Sequence, residues 1–213
     1  MDASFLRLYV IPDQRLGAPR SIMEQASEAL HGGATAIQLR DKELSGRELV
    51  EVATALQKLC QDHEALLFIN DRLDVALAVG ADGCHLGQSD LPLEAARRIA
   101  PSPFLIGRSA RTVDQAREAQ KCGADYLGVG AVFPTGTKDD TLVIGLDGLQ
   151  RVLEVATVPV VAIGGIGISG VPEIMNVGVS GVAVVSAVVA QDDVRASARA
   201  LRALVEEGFH ERR

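Results

Sequence analysis

The sequence predicts a single (β/α)8 barrel of the α/β class, and three observations carry that prediction. Eight short apolar runs alternate with segments of helical periodicity, no linker-like break interrupts them, and the chain has 213 residues. The runs are continuously apolar, which indicates strands buried on both faces of a parallel sheet. An open doubly wound sheet fits the same alternation, but eight units in so few residues favour a closed barrel. We therefore expect residues 1–213 to form one domain.

Each predicted element has a local reason in the sequence. Helical periodicity is clearest over Gly46–His63 and Arg195–Glu207, where aliphatic residues recur at spacings of three and four. Ser21, with Glu24 three residues later, predicts a capping box at the start of an earlier helix. The predicted strands are Leu8–Ile11, Ala36–Leu39, Leu66–Ile69, Cys84–Leu86, Leu105–Gly107, Tyr126–Val129, Val160–Ile163 and Gly181–Val185.

A glycine-led tripeptide recurs just before several predicted strands. It occurs as Gly33–Thr35, Gly80–Asp82 and Gly123–Asp125, with a weaker copy at Gly178–Ser180. Glycine ends helices readily because it adopts left-handed backbone conformations at no steric cost. The recurrence predicts a glycine-ended helix and a tight turn into each strand, which is a feature of the fold and carries no chemistry.

Composition and charge exclude several classes of protein. The chain has 21 basic and 28 acidic residues, a net charge of −7, 47% hydrophobic residues and only 3% aromatic ones. It is too apolar for a disordered chain, and its acidity and few rings argue against nucleic-acid binding. We see no signal peptide and no apolar stretch long enough to span a bilayer, so we expect a cytoplasmic protein without a membrane partner. The aliphatic, Trp-free composition suits a barrel filled by branched side chains.

Polar residues directly follow most of the apolar runs, at the end of a barrel where active sites gather. Arg40, Lys42 and Lys138 are cations at this rim, and together they suit a phosphate or pyrophosphate group. The alternative is surface ion pairing with nearby Asp41, Glu43 or Asp139.

Asp71 and Asp90 at the same rim offer hard oxygen ligands. Two carboxylates completed by phosphate oxygens and water suit Mg2+, which keeps much of its hydration in proteins. The alternative for Asp90 is that it caps the helix that follows. His85 is open to two readings, a general base or a structural histidine.

Two late turns suit a second phosphate. Gly164–Ile166 and Val185–Ala187 follow the last two predicted strands, where such barrels bind monophosphates through backbone amides. Plain tight turns are the alternative. Thr135–Lys138 combines hydroxyls, an amide and a cation, and we expect Thr135–Thr141 to act as a lid.

These residues together favour transfer of a carbon group from a pyrophosphate to a phosphorylated nucleophile. Metal and cations neutralise the charge that develops on a departing pyrophosphate, and the second phosphate anchors the acceptor beside it. A non-catalytic phosphate sensor or regulatory subunit on the same barrel is the alternative from another class of protein.

The ordered motifs resemble thiamine-phosphate synthase over nearly the whole chain, from Leu8 to about Ala190. The resemblance implies an alkyl-group transferase of thiamine biosynthesis. It would condense 4-amino-2-methyl-5-(diphosphooxymethyl)pyrimidine with thiazole phosphate by Mg2+-assisted, dissociative loss of pyrophosphate. The motifs that carry the resemblance are Gln38–Lys42, Ile69–Asp71, His85–Asp90, Asp125–Gly130, Thr135–Lys138 and Ile163–Ile166.

The resemblance also implies roles for individual residues. Asp71 and Asp90 would bind Mg2+, and Ser109, Lys138 and Arg40 would be catalytic, with Ser109 near an amino group of the pyrimidine ring. The pyrimidine pyrophosphate would be held by Gln38, Leu39, Arg40, Asp41, Lys42, Asn70, Ser109 and Lys138. The thiazole phosphate would be held by Thr135, Gly136, Thr137, Gly165, Val185 and Ser186.

One departure from the family pattern is visible. Arg111 stands two positions after Ser109, where the family usually has histidine. A thiazole tautomerase relative resembles the synthase but need not retain its pyrophosphate and metal residues, and their presence here favours the synthase. The oligomeric state stays open at this stage.

Overall fold

The eight strands form a closed, all-parallel barrel in the order β1 to β8, with β8 paired to β1. The computed structural model describes residues 3–100, 102–136 and 142–211. The predicted barrel is therefore confirmed, and the open sheet is wrong. The strands are β1 (Leu8–Val10), β2 (Ala36–Leu39), β3 (Leu66–Asn70), β4 (Gly83–Leu86), β5 (Leu105–Ala110), β6 (Tyr126–Val129), β7 (Val160–Ile163) and β8 (Gly181–Val184).

The strand predictions are correct to within one residue at each end except in β5. That strand continues three residues beyond its predicted end at Gly107, through Arg108 and Ser109 to Ala110. The predicted strand ends at Gly107 because the residues after it are polar, and a buried strand was expected to be continuously apolar. In the barrel they remain paired with β6, with Ser109 opposite Gly128.

The helices cover the outside of the barrel, and a 3-10 turn at Ser4–Leu6 precedes β1. The capping box at Ser21 is confirmed: the Glu24 amide donates to Ser21 Oγ at 3.3 Å, and the Ser21 amide donates to Glu24 Oε2 at 2.7 Å. The described helices are α1 (Ile22–His31), α2 (Gly46–Asp62), α3 (Leu73–Val79), α4 (Leu93–Ile99), α5 (Val113–Lys121), α6 (Gly145–Leu153), α7 (Val171–Val177), α8 (Ser186–Val189) and α9 (Val194–Glu211). Within these ranges no helix combines the length and apolar character needed to cross a membrane.

The recurring glycine tripeptide does end helices, and its third residue also ties strands together. The backbone φ is left-handed at each glycine, at +98° for Gly33, +65° for Gly80, +93° for Gly123 and +110° for Gly178. In three copies the side chain of the third residue accepts a hydrogen bond from the amide of the first or second residue of the preceding strand. These pairs are Leu8 N to Thr35 Oγ1 at 3.0 Å, Leu67 N to Asp82 Oδ2 at 2.8 Å, and Ile106 N to Asp125 Oδ2 at 2.6 Å.

Four aromatic rings fill much of the barrel interior beside aliphatic residues, so the expectation of branched aliphatic filling holds only in part. Both tyrosines of the chain and two of its five phenylalanines lie in the interior cluster, with the Phe5 and Phe68 centroids 5.8 Å apart. Aliphatic residues instead fill the larger shell between the strands and the helices. The interior cluster is Phe5, Leu6, Tyr9, Ala36, Phe68, Tyr126, Val161 and Ala183.

Candidate active site

A cavity opens at the C-terminal ends of the strands and brings many of the predicted site residues together. Tyr9 and Tyr126 of the interior cluster are part of its lining. Thr137 and Lys138 lie outside the described residues, so their predicted roles stay predictions. The predicted binding residues that line the cavity are Gln38, Arg40, Asn70, Ser109, Thr135, Gly165, Val185 and Ser186.

Four other predicted binding residues do not line this cavity. The Leu39 side chain is buried in the outer aliphatic shell, so only its backbone could meet a ligand. Asp41 Oδ1 accepts the amides of Glu43 and Leu44 at 2.8 and 2.9 Å, and it therefore shapes the loop before α2. Lys42 and Gly136 are exposed.

The Arg40 guanidinium suits an anionic ligand. Its side chain lines the cavity, yet its Nε is buried without a hydrogen-bond partner among the residues that the structure describes. An unsatisfied buried guanidinium donor is costly, and an anionic ligand would remove that cost. Arg111, at the position that departs from the family pattern, adds a second guanidinium to the lining.

Asp71 and Asp90 come together as a carboxylate pair. Asp71 has a left-handed φ of +63°, and its amide donates to the His85 carbonyl of β4 at 2.9 Å, which joins the ends of β3 and β4. Asp90 Oδ2 accepts the Gly87 amide at 2.7 Å, so it closes the β4 loop. The reading of Asp90 as a helix cap is wrong, because Pro92 precedes α4 and no side chain caps it.

Charge and hydrogen bonds control the ionisation of Asp90. Partial burial acts to raise the pKa of Asp90, but hydrogen bonds to Asp71 and the Gly87 amide, with the charges of Lys42 and Arg108, bring it below its usual value. Carboxylates this close repel each other when both are charged, and a bound cation would reduce that repulsion. Across the described ranges no third histidine, cysteine, aspartate or glutamate joins them in a metal-sized group.

A chain of five hydrogen-bonded side chains crosses the barrel, and all five line the cavity. Gln38 Nε2 donates to Tyr9 Oη at 2.9 Å, and the two tyrosine hydroxyls lie 3.1 Å apart. His85 Nδ1 lies 3.1 Å from Tyr126 Oη, and His85 Nε2 lies 2.9 Å from Ser109 Oγ. Burial raises the pKa of both tyrosines well above the ordinary value, so both hydroxyls stay protonated.

Glycines make room for the rings of this chain. A Cβ at Gly128 would lie 2.9 Å from His85 Cε1, and one at Gly107 would overlap the ring of Tyr126. These two glycines sit in β5 and β6, where strand geometry alone gives glycine no advantage. Glycine occurs at these two positions because the rings of Tyr126 and His85 lie over them and leave no room for a Cβ.

The turn at Gly164 and Gly165 packs directly against the loop that follows β6. Both residues have left-handed φ, at +95° and +68°, and a Cβ at Gly165 would lie 2.6 Å from the Phe133 carbonyl oxygen. The Phe133 amide donates to the Gly164 carbonyl at 3.0 Å. This contact holds the loop that carries Thr135 beside the last strands, where Ser186 begins α8.

Comparison with known proteins identifies the family. The thiamine monophosphate synthase family model matches residues 8–188. The chain belongs to that family. It is 50% identical to thiamine-phosphate synthases of Coprothermobacter proteolyticus, over 94% of this chain and 95% of the relative, and of Pyrococcus furiosus, over 95% and 96%. The solved thiamine phosphate pyrophosphorylase from Pyrococcus furiosus superposes with a TM-score of 0.91 at 49% identity, covering 97% of this chain and 98% of that one.

Family membership confirms the prediction of an enzyme, a transferase of thiamine biosynthesis. Sequence reasoning missed Tyr9, Tyr126 and Arg111 as lining residues of its cavity. The tyrosines lie inside strands, where the sequence alone indicates that an aromatic side chain belongs to the hydrophobic core. Arg111 lies just beyond a strand whose end was placed too early, and a correct end for β5 would have brought it to the rim.

Proposed function

We propose that this enzyme condenses 4-amino-2-methyl-5-(diphosphooxymethyl)pyrimidine with thiazole phosphate to give thiamine phosphate and pyrophosphate. The observation that carries the proposal is Arg40, which lines the cavity and whose buried Nε has no hydrogen-bond partner within the described ranges. The Asp71–Asp90 pair lies at the same end of the barrel, where Asp71 directly follows the cavity residue Asn70. A guanidinium donor and paired carboxylates at one rim are a combination that a metal-bound pyrophosphate would satisfy.

The carboxylate pair fits Mg2+ by its chemistry. Asp71 and Asp90 offer hard oxygen atoms in contact with each other, and Asp90 stays ionised to low pH because its pKa is lowered. A bound Mg2+ would supply positive charge to the pyrophosphate oxygens as negative charge develops on them. The same charge would offset the mutual repulsion of the two carboxylates.

The residues of the chain have separate tasks in this proposal. Arg40 and Asn70 hold the pyrophosphate end of the pyrimidine substrate, and Lys42 and Lys138 add charge as the C–O bond breaks and its electron pair leaves with pyrophosphate. Ser109 lies beside the ring. The thiazole nitrogen then gives its lone pair to the methylene carbon, so a dissociative order needs the second substrate already in place.

The thiazole phosphate has its own place in the proposal. Thr135, Gly165, Val185 and Ser186 line one side of the cavity, and Gly136 and Thr137 adjoin them in sequence. Their hydroxyls and backbone amides suit a monophosphate. We place the enzyme in the cytoplasm, which suits phosphorylated small-molecule substrates and needs no nucleic-acid or membrane partner.

The proposal is tested by mixing the purified protein with both substrates and Mg2+ and measuring thiamine phosphate and pyrophosphate in equal amounts. Arg40→Ala should lower the rate at least about tenfold, since charged hydrogen bonds are worth roughly 1.5–3 kcal/mol. Arg199→Ala, which removes an exposed arginine of α9, is the matched control and should not change it. Conversion of a thiazole tautomer without condensation would assign the chain to the tautomerase branch, and binding without turnover would assign it a sensor role.

A further inference from the structure

The hydrogen-bond chain from Gln38 to Ser109 has a direction, and Gln38 sets it. An amide nitrogen only donates, so Tyr9 Oη accepts from Gln38 Nε2. Among the residues that the structure describes, the remaining hydrogen-bond neighbour of Tyr9 Oη is Tyr126 Oη at 3.1 Å, so the Tyr9 hydrogen goes to that oxygen. Tyr126 Oη, having accepted that hydrogen, donates its own to His85 Nδ1 at 3.1 Å. An imidazole nitrogen that accepts carries no hydrogen, so the hydrogen of His85 lies on Nε2.

That direction decides what Ser109 offers to a ligand. His85 Nε2 donates to Ser109 Oγ at 2.9 Å, so the serine hydrogen is left for another acceptor. Ser109 lines the cavity, and Gln88 fixes its backbone by donating from Nε2 to its carbonyl oxygen at 2.5 Å. In the reverse direction Ser109 would donate to His85 and show only lone pairs to the cavity.

We infer that His85 is a positioning residue, held as the Nε2–H tautomer so that Ser109 points its hydroxyl hydrogen into the cavity. The ligand atom opposite Ser109 is then a hydrogen-bond acceptor, such as a ring nitrogen of an aromatic heterocycle. The ring amino group expected there from the family resemblance is a donor. It could reach only the second lone pair of Ser109 Oγ and would leave the serine hydrogen without an acceptor. The identification of that ring as the pyrimidine rests on the proposed function, whereas the tautomer does not.

The packing around the chain supports a fixed geometry. Tyr9 and Tyr126 are fully buried, with centroids 6.2 Å apart, and the His85 ring lies 5.6 Å from that of Tyr126. Gly107 and Gly128 leave room for Tyr126 and His85 and for no additional carbon. A buried network with all its rings held in place keeps one hydrogen-bond direction, because each reversed bond would require every other one to reverse.

The direct test is nitrogen NMR of the full-length enzyme labelled with 15N-histidine, without substrates. His85 should show hydrogen on Nε2 only. His31 serves as an internal reference of the opposite tautomer, because its Nδ1 lies 2.8 Å from the Ser27 carbonyl, which can only accept. A His85 signal with hydrogen on Nδ1, or on both nitrogens, overturns the inference.

Two variants test the origin of the direction. Tyr126→Phe keeps the ring over Gly107 but removes the donor to Nδ1, and His85 should become a mixture of tautomers. Gln38→Glu replaces the terminal donor by an acceptor, so the Nδ1–H form should gain population. The His31 signal should stay unchanged in both, which reports an intact fold. An unchanged His85 signal in both variants overturns the chain as the cause.

Ligand binding tests what Ser109 presents. The probe is 4-amino-5-hydroxymethyl-2-methylpyrimidine, compared with two analogues in which one ring nitrogen is replaced by C–H. One analogue should bind about tenfold more weakly than the probe, and Ser109→Ala should abolish that difference. Equal binding of all three to the parent enzyme overturns the acceptor assignment. Absence of condensation activity would defeat the proposed function but leave the tautomer result standing.

Discussion

Substitution of Gly128 by alanine probes the link between barrel packing and the site. The added Cβ would lie 2.9 Å from His85 Cε1, whereas carbon atoms pack best at about 3.5–4.0 Å. The His85 ring must therefore retreat by about 0.6 Å or more. Its bonds to Ser109 and Tyr126 measure 2.9 and 3.1 Å, close to the ordinary limit of about 3.2 Å, so at least one of them should break.

Overpacking of this kind costs about 1–3 kcal/mol, which in a chain of this size lowers Tm by about 2–4 °C for each kcal/mol. The condensation rate should fall about tenfold with the lost hydrogen bond. Calorimetry and a steady-state assay measure the two effects. Gly46→Ala at the start of α2, where an added Cβ meets no atom nearer than 3.6 Å, is the matched control and should leave both nearly unchanged. A Gly128→Ala enzyme as stable and active as its parent would refute the reasoning.

Three further predictions concern the metal pair, a strand tie and a helix cap. Asp71→Asn should raise the Mg2+ concentration for half-maximal rate about tenfold or more. The control Asp74→Asn, which alters a carboxylate paired with Arg72, should leave that concentration unchanged. Equal Mg2+ titrations of Asp71→Asn and the parent enzyme would remove Asp71 as a ligand. Asp125→Ala should lower the free energy of unfolding by about 2 kcal/mol, because the Ile106 amide and Arg97 lose the acceptor that they share. The control Asp114→Ala, at an exposed carboxylate, should change it by no more than about 0.5 kcal/mol. Equal losses for the two variants in urea denaturation would contradict this prediction. Hydrogen bonds from the Ser21 backbone and side chain lower the pKa of Glu24 in the folded state. The stability that Glu24 adds is therefore present above its unfolded pKa and is lost as the pH falls through the folded pKa. A stability difference between the parent and Glu24→Ala that does not shrink in acid would count against this cap.

The sequence was sufficient for the barrel because its signals are local and repeated. Continuous apolar runs, helical periodicity and helix-ending glycines each occur several times, and an error at one strand end does not alter the topology. The ring-filled interior was not predictable in this way. Tyr9 and Tyr126 are 117 residues apart, and only closure of the barrel brings their hydroxyls within 3.1 Å.

In the candidate site, too, the residues placed by a local signal were predictable and those that depend on contacts between strands were not. Arg40, Asn70 and Ser109 follow or end strands, and the rule that barrel chemistry gathers there placed them at the cavity. The contrast between Asp41, whose carboxylate holds its own loop, and Asp90, which meets Asp71 from another strand, depends on three-dimensional contacts. The family resemblance implied substrate binding for Asp41 and Mg2+ binding for Asp90, and residue type alone could show neither contact.

The central claim is that the strand ends form a metal-assisted pyrophosphate site, and a crystal structure with Mg2+ and pyrophosphate tests it most directly. We expect one Mg2+ between the carboxylates of Asp71 and Asp90, sharing oxygen atoms with a pyrophosphate that accepts a hydrogen bond from Arg40 Nε. The same crystal would show whether the Thr135–Thr141 segment closes over the ligand. Pyrophosphate bound away from Arg40, or a metal bound without either aspartate, would contradict the account.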